Sequence, residues 1–133
     1  MLEIPWEQLV KAAAAVRENA HAPYSSYRVG AALLDREGRI WIGCNVENAS
    51  FGLTVCAERV ALQTAIAGGA QVFTALALVT SSSPPATPCG ACRQVLREFT
   101  GRLPILCVNE RGEELWTDLA ELLPHSFGGG DLT

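Results

Sequence analysis

The sequence predicts an α/β fold, a three-layer α/β/α sandwich around a central mixed five-stranded sheet. Three observations favour this class. Segments with apolar residues at helical spacing alternate along the chain with short apolar runs typical of strands. The run 73–80, FTALALVT, is apolar almost throughout, as expected of a strand buried on both faces. The 133 residues are 49% hydrophobic and 18% charged, which suits a single folded domain over 1–133.

The first three elements follow from local signals. Residues 4–20 predict a helix, because Pro5 suits a first helical turn and apolar residues recur at helical spacing after it. Residues 28–35 and 39–46 read as two strands. Gly38, preceded by a glutamate, supplies the hairpin turn between them.

The middle of the chain predicts a loop, a helix and a strand. Residues 47–54, ENASFGLT, contain too many turn formers for a regular element and are expected to form an exposed loop. A second helix is expected over 56–67 and ends at two glycines. The run 73–80 then forms the central strand.

The last third contributes shorter elements. We expect a rigid loop over 81–88, a third helix over 89–99, a strand over 104–109, a short edge strand over 114–117, a last helix that Thr117 caps and that ends near Leu122, and a non-helical tail over 124–133.

Composition and charge exclude several function classes. The formal net charge is −4 and no run of Lys or Arg occurs, which argues against a nucleic-acid partner. No apolar stretch approaches the roughly 20 residues of a membrane span. The first ten residues lack the features of a signal peptide, so a cytoplasmic protein is expected. Five cysteines in such a chain favour thiols and metal ligands over disulfides.

The stretch PCGACRQVL raises a question about cysteine chemistry. Cys89 and Cys92 stand three positions apart at a helix start and therefore face the same way; such a pair forms a redox couple or part of a metal site. Cys56 opens the other central helix, and loops that feed helices gather at one end of an α/β sheet. Convergence of the three thiols would form a catalytic zinc site with one open position. His21 and His125 are the other candidate ligands, but neither shares a register with the cysteines.

Two charged residues follow Cys56 on the second helix. Glu58 would lie beside the open metal position, where a carboxylate can take a proton from bound water; the plainer interpretation is a carboxylate stabilised by the helix dipole. Arg59 would donate hydrogen bonds to a thiolate and offset the net −1 charge of zinc with three thiolates. The alternative for Arg59 is a solvated helix residue.

Five blocks together resemble the zinc-dependent cytidine deaminases of the short, homotetrameric nucleoside type: APYSSYRVGAALL, GCNVENAS, CAERVAL, PCGACRQVLREF and LLPHSFGGGDL. The resemblance covers nearly the whole chain. It implies a cytidine deaminase-like fold and one Zn²⁺ per chain, bound by Cys56, Cys89 and Cys92. It also implies hydrolytic deamination of cytidine and 2'-deoxycytidine, a pyrimidine salvage reaction, with Glu58 as proton shuttle beside the zinc-bound hydroxide that attacks C4.

The resemblance also implies a set of substrate contacts. Asn45 and Glu47, in NVEN, would hold the ribose hydroxyls, although turn chemistry also accounts for both. Tyr27 falls where the family usually has a phenylalanine against the pyrimidine ring. Ala57 belongs to the same substrate-binding set. In a homotetramer, the aromatic residues expected to reach a neighbour's pocket are Phe51 and Phe127; for Tyr27 and Phe51 the alternative is a core aromatic.

Three rival functions stay open at this point. A deaminase of another aminopyrimidine nucleoside, such as an antibiotic, would share the fold and chemistry. A structural zinc or binding module would need a fourth protein ligand and would not need Glu58. A polynucleotide-editing deaminase would need positive charge and stacking aromatics, and the acidic composition disfavours this function.

Cys44 and Cys107 lie in strand patterns and are expected to be core thiols.

Overall fold

The computed structural model of the protein describes residues 3–133. Within that range the elements run in the order α1 (Trp6–Arg17), β1 (Gly30–Asp35), β2 (Ile40–Cys44), a 3₁₀ turn (Phe51–Leu53), α2 (Ala57–Ala67), β3 (Phe73–Thr80), α3 (Gly90–Arg97), β4 (Pro104–Asn109), β5 (Glu114–Asp118), α4 (Leu119–Leu122) and a second 3₁₀ turn (Gly129–Leu132). The predicted helices and strands are confirmed, with ends shifted by a few residues.

The strands form one mixed sheet in the order β2-β1-β3-β4-β5. Neighbouring strands are antiparallel except β3 and β4, which are parallel with Leu76 opposite Ile105. The predicted central position of β3 and edge position of β5 are therefore confirmed. The parallel pair requires a crossover, and α3 provides it, as expected for a β-α-β unit.

Helices cover both faces of the sheet, so the predicted three layers are confirmed. Alternate residues of β3 point to opposite faces: Leu76 and Leu78 pack in the core beneath α2 and α3, while Ala75 and Ala77 pack beneath α1. Burial on both faces explains why the β3 sequence shows no alternation of polar and apolar residues.

The β1–β2 hairpin is held by a buried carboxylate. Gly38 has φ +86°, the left-handed conformation that glycine adopts at little cost. Asp35, 2% exposed, accepts backbone hydrogen bonds from Glu37 and Arg39 and side-chain bonds from Arg39 and Trp41. Burial by itself would raise the pKa of Asp35, but these hydrogen bonds outweigh it and leave the pKa below its ordinary value.

The predicted cap of the last helix is wrong by one residue. Thr117 still belongs to β5, and its hydroxyl is buried without a hydrogen-bond partner among the described residues. Asp118 caps α4 instead, since its Oδ1 accepts from Ala120 N at 2.7 Å. The strand continues one residue further than its sequence pattern indicated, and this moves the cap along the chain.

The prediction that the tail has no helical structure is also wrong for its last residues. Residues Gly129–Leu132 form a 3₁₀ turn. The Asp131 carboxylate accepts a hydrogen bond from Gly128 N at 2.7 Å, which closes the turn at its start. A local side-chain bond thus stabilises a turn where three glycines disfavour a helix.

One end of the sheet collects the starts of two helices. The carboxyl ends of β2 and β3 lie together there, because Cys44 and Val79 both pair with Gly30 at the start of β1. Both α2 and α3 begin after loops that leave this end. At Gly43 the sheet approaches α2 so closely that an added Cβ would lie 2.3 Å from Ala61 N.

Within residues 3–133, every helix is too short or too polar to span a lipid bilayer.

Candidate active site

Three thiols meet at the end of the sheet where α2 and α3 begin. The Sγ atoms of Cys56, Cys89 and Cys92 all lie within 4.8 Å of one another. The Cys56 and Cys89 sulfurs are 3.8 Å apart, and those of Cys89 and Cys92 are 3.3 Å apart. The predicted convergence of these cysteines is therefore confirmed. A third sulfur beside the Cys-x-x-Cys pair favours a metal site over a simple redox couple.

Two of the three cysteines occupy the N-cap positions of helices. Cys56 precedes α2 and Cys89 precedes α3, each with extended backbone torsions. Cys89 Sγ accepts a hydrogen bond from the backbone N–H of Cys92 at 3.4 Å. Both helix N-termini therefore direct partial positive charge toward these sulfurs.

The donor set fits zinc. Zinc–sulfur bonds of about 2.3 Å in tetrahedral geometry separate the sulfurs by about 3.8 Å, close to the 3.8 and 3.3 Å found here. Three protein donors leave one tetrahedral position for a non-protein ligand. Across residues 3–133 the group of possible metal ligands contains these cysteines and neither histidine, so nothing described closes the site.

Hydrogen bonds and burial polarise the thiol cluster. The pKa of Cys56 is lowered to about 5, chiefly because its sulfur accepts a hydrogen bond from Cys92 and also from Arg59, and these outweigh its burial. The pKa of Cys92 is correspondingly raised, because its thiol donates to Cys56 and is buried. Arg59 Nη2 lies 3.4 Å from Cys56 Sγ, and this contact raises the pKa of the guanidinium, which therefore stays charged.

Glu58 is buried close to the thiols. It occupies the second position of α2 and is 5% exposed. Burial raises the pKa of its carboxyl to about 7, since the charged form is poorly solvated there. A carboxyl with a pKa near neutrality can both accept and return a proton at physiological pH.

A cavity of about 180 Å³ opens onto the cluster. Its lining includes the predicted site residues Tyr27, Asn45, Cys56, Ala57, Glu58 and Cys89. It also includes six residues that sequence reasoning missed: Val29, Thr54, Leu78, Thr80, Ala86 and Thr87. Thr80 was the one with a usable signal, because it ends an apolar strand at the carboxyl edge where α/β folds bind ligands.

Asn45 shapes the cavity wall through its side chain. Asn45 Oδ1 accepts from Val29 N at 2.9 Å, and Nδ2 donates to the Tyr27 carbonyl at 2.8 Å. The amide retains one hydrogen and one lone pair for another partner. Asn45 is 7% exposed, so that partner must enter the cavity.

Glu47 lies in a second, outer cavity of about 370 Å³, which shares Thr54 with the inner one. One carboxylate oxygen accepts from the backbone N–H groups of Tyr24 and Ser25, at 3.0 and 3.2 Å, and the other accepts from the Ser25 hydroxyl. The Ser25 hydroxyl bond lowers the pKa of Glu47 most, and the two backbone bonds add to this effect. The carboxylate is therefore ionised and oriented.

The two predicted intersubunit aromatics are exposed. Phe51, 74% exposed, lines the outer cavity with Tyr24, whose ring it meets edge-on at 5.7 Å. Phe127 is 59% exposed although its tail is bound to α3. Gln94 Nε2 donates to the Phe127 carbonyl at 3.2 Å, and Arg97 Nε donates to a neighbouring serine of the tail at 2.9 Å. Polar contacts thus hold the tail while its aromatic ring stays uncovered.

The two remaining cysteines take no part in the cluster. Cys107 is fully buried in the core, and burial raises the pKa of its thiol to about 12, which confirms the prediction of a core thiol. Cys44, at the end of β2, is only partly buried, and burial raises its pKa as well. The prediction of a core thiol is therefore only partly confirmed for Cys44, because its side chain is not fully buried.

The fold and the three-thiol site define a zinc-binding deaminase class. The family model described as "Cytidine and deoxycytidylate deaminase zinc-binding region" matches residues 5–107, and the chain belongs to that family.

Individual relatives cover nearly the whole chain. It is 44% identical over 128 residues to the cytidine deaminase of Sporosarcina psychrophila, covering 96% of this chain and 94% of that protein. It is 39% identical over 132 residues to the Mycobacterium tuberculosis cytidine deaminase, covering 99% and 96%. The crystal structure of cytidine deaminase from Burkholderia pseudomallei superimposes with a TM-score of 0.90 at 46% identity, covering 93% of this chain and all of that one.

Proposed function

We propose that the protein catalyses the hydrolytic deamination of cytidine and 2'-deoxycytidine to uridine and 2'-deoxyuridine with release of ammonia. One observation carries the proposal: Cys56, Cys89 and the buried Glu58 line the same cavity, at the start of two helices. Relatives 39 to 44% identical over nearly the full chain are named cytidine deaminases, which supports the same reaction.

Each residue of the site has a separate role in the proposed reaction. Cys56, Cys89 and Cys92 would hold Zn²⁺, which when bound acidifies a water molecule to a pKa of roughly 7 and so supplies the nucleophile. Glu58 accepts the proton of that water and delivers it to N3 of the pyrimidine as the oxygen adds to C4. Glu58 then takes the proton of the new C4 hydroxyl and transfers it to the amino group, the C4–N bond breaks as the C4 carbonyl forms, and ammonia and the uracil nucleoside leave. Arg59 offsets the negative charge of the thiolates.

Substrate contacts follow the two cavities. The inner cavity accepts the base, against Tyr27 and Ala57. Asn45 offers its free amide hydrogen and lone pair, and Glu47 offers an ionised carboxylate; together they hold the ribose hydroxyls. Hydrogen bonds to carboxylates are stronger than neutral ones, so Glu47 should contribute most to sugar binding.

The rival functions fit less well. A structural zinc module would have a fourth protein ligand, and among residues 3–133 the ligand group holds three cysteines alone. It would also have no use for a buried carboxyl with a raised pKa. A polynucleotide-editing enzyme would need a basic channel, whereas the formal net charge is −4. A deaminase of an aminopyrimidine antibiotic nucleoside would share the chemistry, but Asn45 and Glu47 would be idle with a substrate that lacks a ribose.

Ammonia release from cytidine by the zinc-loaded enzyme tests the proposal directly. We expect turnover with cytidine and deoxycytidine, and loss of turnover after metal removal by a chelator with recovery on adding Zn²⁺. Cytosine, which lacks the sugar, serves as the matched control and should react far more slowly, because remote binding energy contributes to kcat. Rapid turnover of an aminopyrimidine antibiotic without turnover of cytidine would contradict the proposed substrate.

We further propose a cytoplasmic homotetramer in which Phe127 covers a neighbour's pocket. Full burial of such a ring contributes about 1.5–3 kcal/mol, and the 59% exposure of Phe127 leaves much of this gain unused within one chain. The cytoplasm is a reducing compartment, which suits a site that needs three free thiols.

Light scattering on the intact protein tests the homotetramer and should give four chains. Deleting residues 126–133 should raise KM and lower kcat with zinc retained; a fully active monomer would contradict the shared site.

A further inference from the structure

Tyr27 is held at three points. Its backbone N–H donates to Ser25 Oγ at 3.0 Å, and its carbonyl accepts from Asn45 Nδ2 at 2.8 Å. The third point is its phenolic oxygen, which lies 2.5 Å from Ser82 Oγ. The two backbone bonds fix where the side chain begins, and the hydroxyl bond fixes where the ring ends. A phenylalanine at this position would keep the first two points and lose the third.

Ser82 is itself a rigid anchor. It lies in loop 81–88, which leads from β3 to Cys89. Its backbone N–H donates to Thr80 Oγ1 at 3.3 Å, and its carbonyl accepts from Asn109 Nδ2 at 2.9 Å. Thr80 and Asn109, the last residues of β3 and β4, are 1% and 4% exposed. The bond to Tyr27 therefore ties the aromatic wall of the cavity to the carboxyl ends of β3 and β4.

We propose that Ser82 is a positioning residue for deamination. Its hydroxyl holds the Tyr27 ring at one place in the inner cavity, relative to the loop that delivers Cys89. The inference rests on the proposed function, in which the Tyr27 ring contacts the pyrimidine. Tyr27 lines the cavity while Ser82 does not, so Ser82 acts through Tyr27 and does not touch the substrate.

The size of the effect follows from the type of bond. A neutral hydrogen bond of this kind contributes a modest net free energy, equivalent to a factor of roughly 3–10 in an equilibrium or rate constant. A ring without the tether samples other positions, and the substrate must then order it on binding. We expect removal of the tether to lower kcat/KM for cytidine. The zinc content should be unchanged because no cysteine loses a contact.

A double-mutant cycle on the zinc-loaded enzyme tests the coupling. Tyr27→Phe and Ser82→Ala should each lower kcat/KM for cytidine roughly 3- to 10-fold, and the double variant should be no worse than the poorer single variant. Ser82→Thr, which keeps a hydroxyl, should recover most of the loss, which a merely structural role would not predict. The matched control is Ser81→Ala, an exposed neighbour, which should match wild type. Effects that multiply in the double variant, or single effects below twofold, would overturn the proposal.

A second readout needs no substrate. The chain has two tyrosines, so protein labelled with ¹³Cζ-tyrosine gives two resonances, which Tyr24→Phe assigns. Ser82→Ala should move the Tyr27 resonance and leave the Tyr24 resonance in place, and an unmoved Tyr27 resonance would refute the tether. A wild-type enzyme inactive on cytidine would refute the proposed function and the role in deamination, while the carbon resonance would still decide whether the tether exists.

Discussion

Replacing Gly43 by alanine tests whether the contact between β2 and α2 sets the position of the active site. An ideal Cβ at Gly43 would lie 2.3 Å from Ala61 N, 2.5 Å from Ala57 O and 2.9 Å from Ala61 Cα. Ordinary contacts begin at 3.4 Å, so the helix must move away by about 1 Å. Both partners are backbone, and no side chain can rotate to relieve the overlap.

The expected cost is large because the overlap cannot be relieved locally. Overpacking a core costs about 1–3 kcal/mol, and the upper end applies here. For a chain of this length that corresponds to a fall in melting temperature of roughly 10 °C. The same displacement moves Cys56 and Glu58, which lie at the start of α2. A misplacement of about 1 Å can cost roughly 100-fold in rate, so kcat/KM should fall by about that factor.

Thermal melting, zinc analysis and cytidine kinetics check this prediction. Gly101→Ala is the matched control, because an added Cβ there meets no atom within 4 Å and the glycine has an ordinary φ. The control should match wild type in all three measurements. Wild-type melting and kinetics for Gly43→Ala would show that α2 adjusts freely, and would refute the view that this contact places Cys56 and Glu58.

Three further predictions follow from the site and the hairpin. Glu58→Gln keeps the size of the side chain but removes the base; zinc content should stay near wild type while kcat falls by at least about 10²–10⁴-fold, and retention of a tenth of the wild-type rate would exclude the shuttle. Glu47→Ala should raise KM and lower kcat for cytidine, while unchanged kinetics would remove the ribose role. Asp35→Asn should lower the free energy of unfolding at pH 7 by about 1–3 kcal/mol, because buried donors lose their acceptor. Since the pKa of Asp35 is lowered on folding, its contribution is present above its ordinary pKa and disappears as the pH falls through the folded value. Melting curves of wild type and Asp35→Asn should therefore converge in acid, and those of the exposed control Glu37→Gln should follow wild type; a gap independent of pH would contradict the assignment.

Local signals in the sequence predicted the elements well. The helical spacing in α1, the two glycines after α2 and the apolar run of β3 each depend on residues within a few positions of one another. One error arose where an element's end depends on distant partners. Thr117 looked like a cap, yet pairing of β5 with β4 extends the strand to Asp118, which takes the role.

The metal ligands were predictable for a similar reason. Cys89 and Cys92 share one helix turn, and Cys56 and Glu58 share another, so sequence spacing alone sets the geometry within each pair. Their approach to each other could be inferred from the rule that ligands gather at the carboxyl ends of strands.

Only the tertiary structure decided what lies around that centre. The bond between Tyr27 and Ser82 joins residues 55 positions apart. The side-chain amide of Asn45 forms hydrogen bonds with the backbone of Tyr27 and Val29 in the cavity wall. Hydrogen bonds of this kind depend on distances of a few tenths of an ångström between side chains on separate elements. By itself the sequence determined the periodicity of its helices and strands and which residues could carry the chemistry. The packing of the sheet against α1, α2 and α3 determined which of those residues share a cavity, because burial and the pKa shifts that follow from it depend on surroundings that distant segments supply.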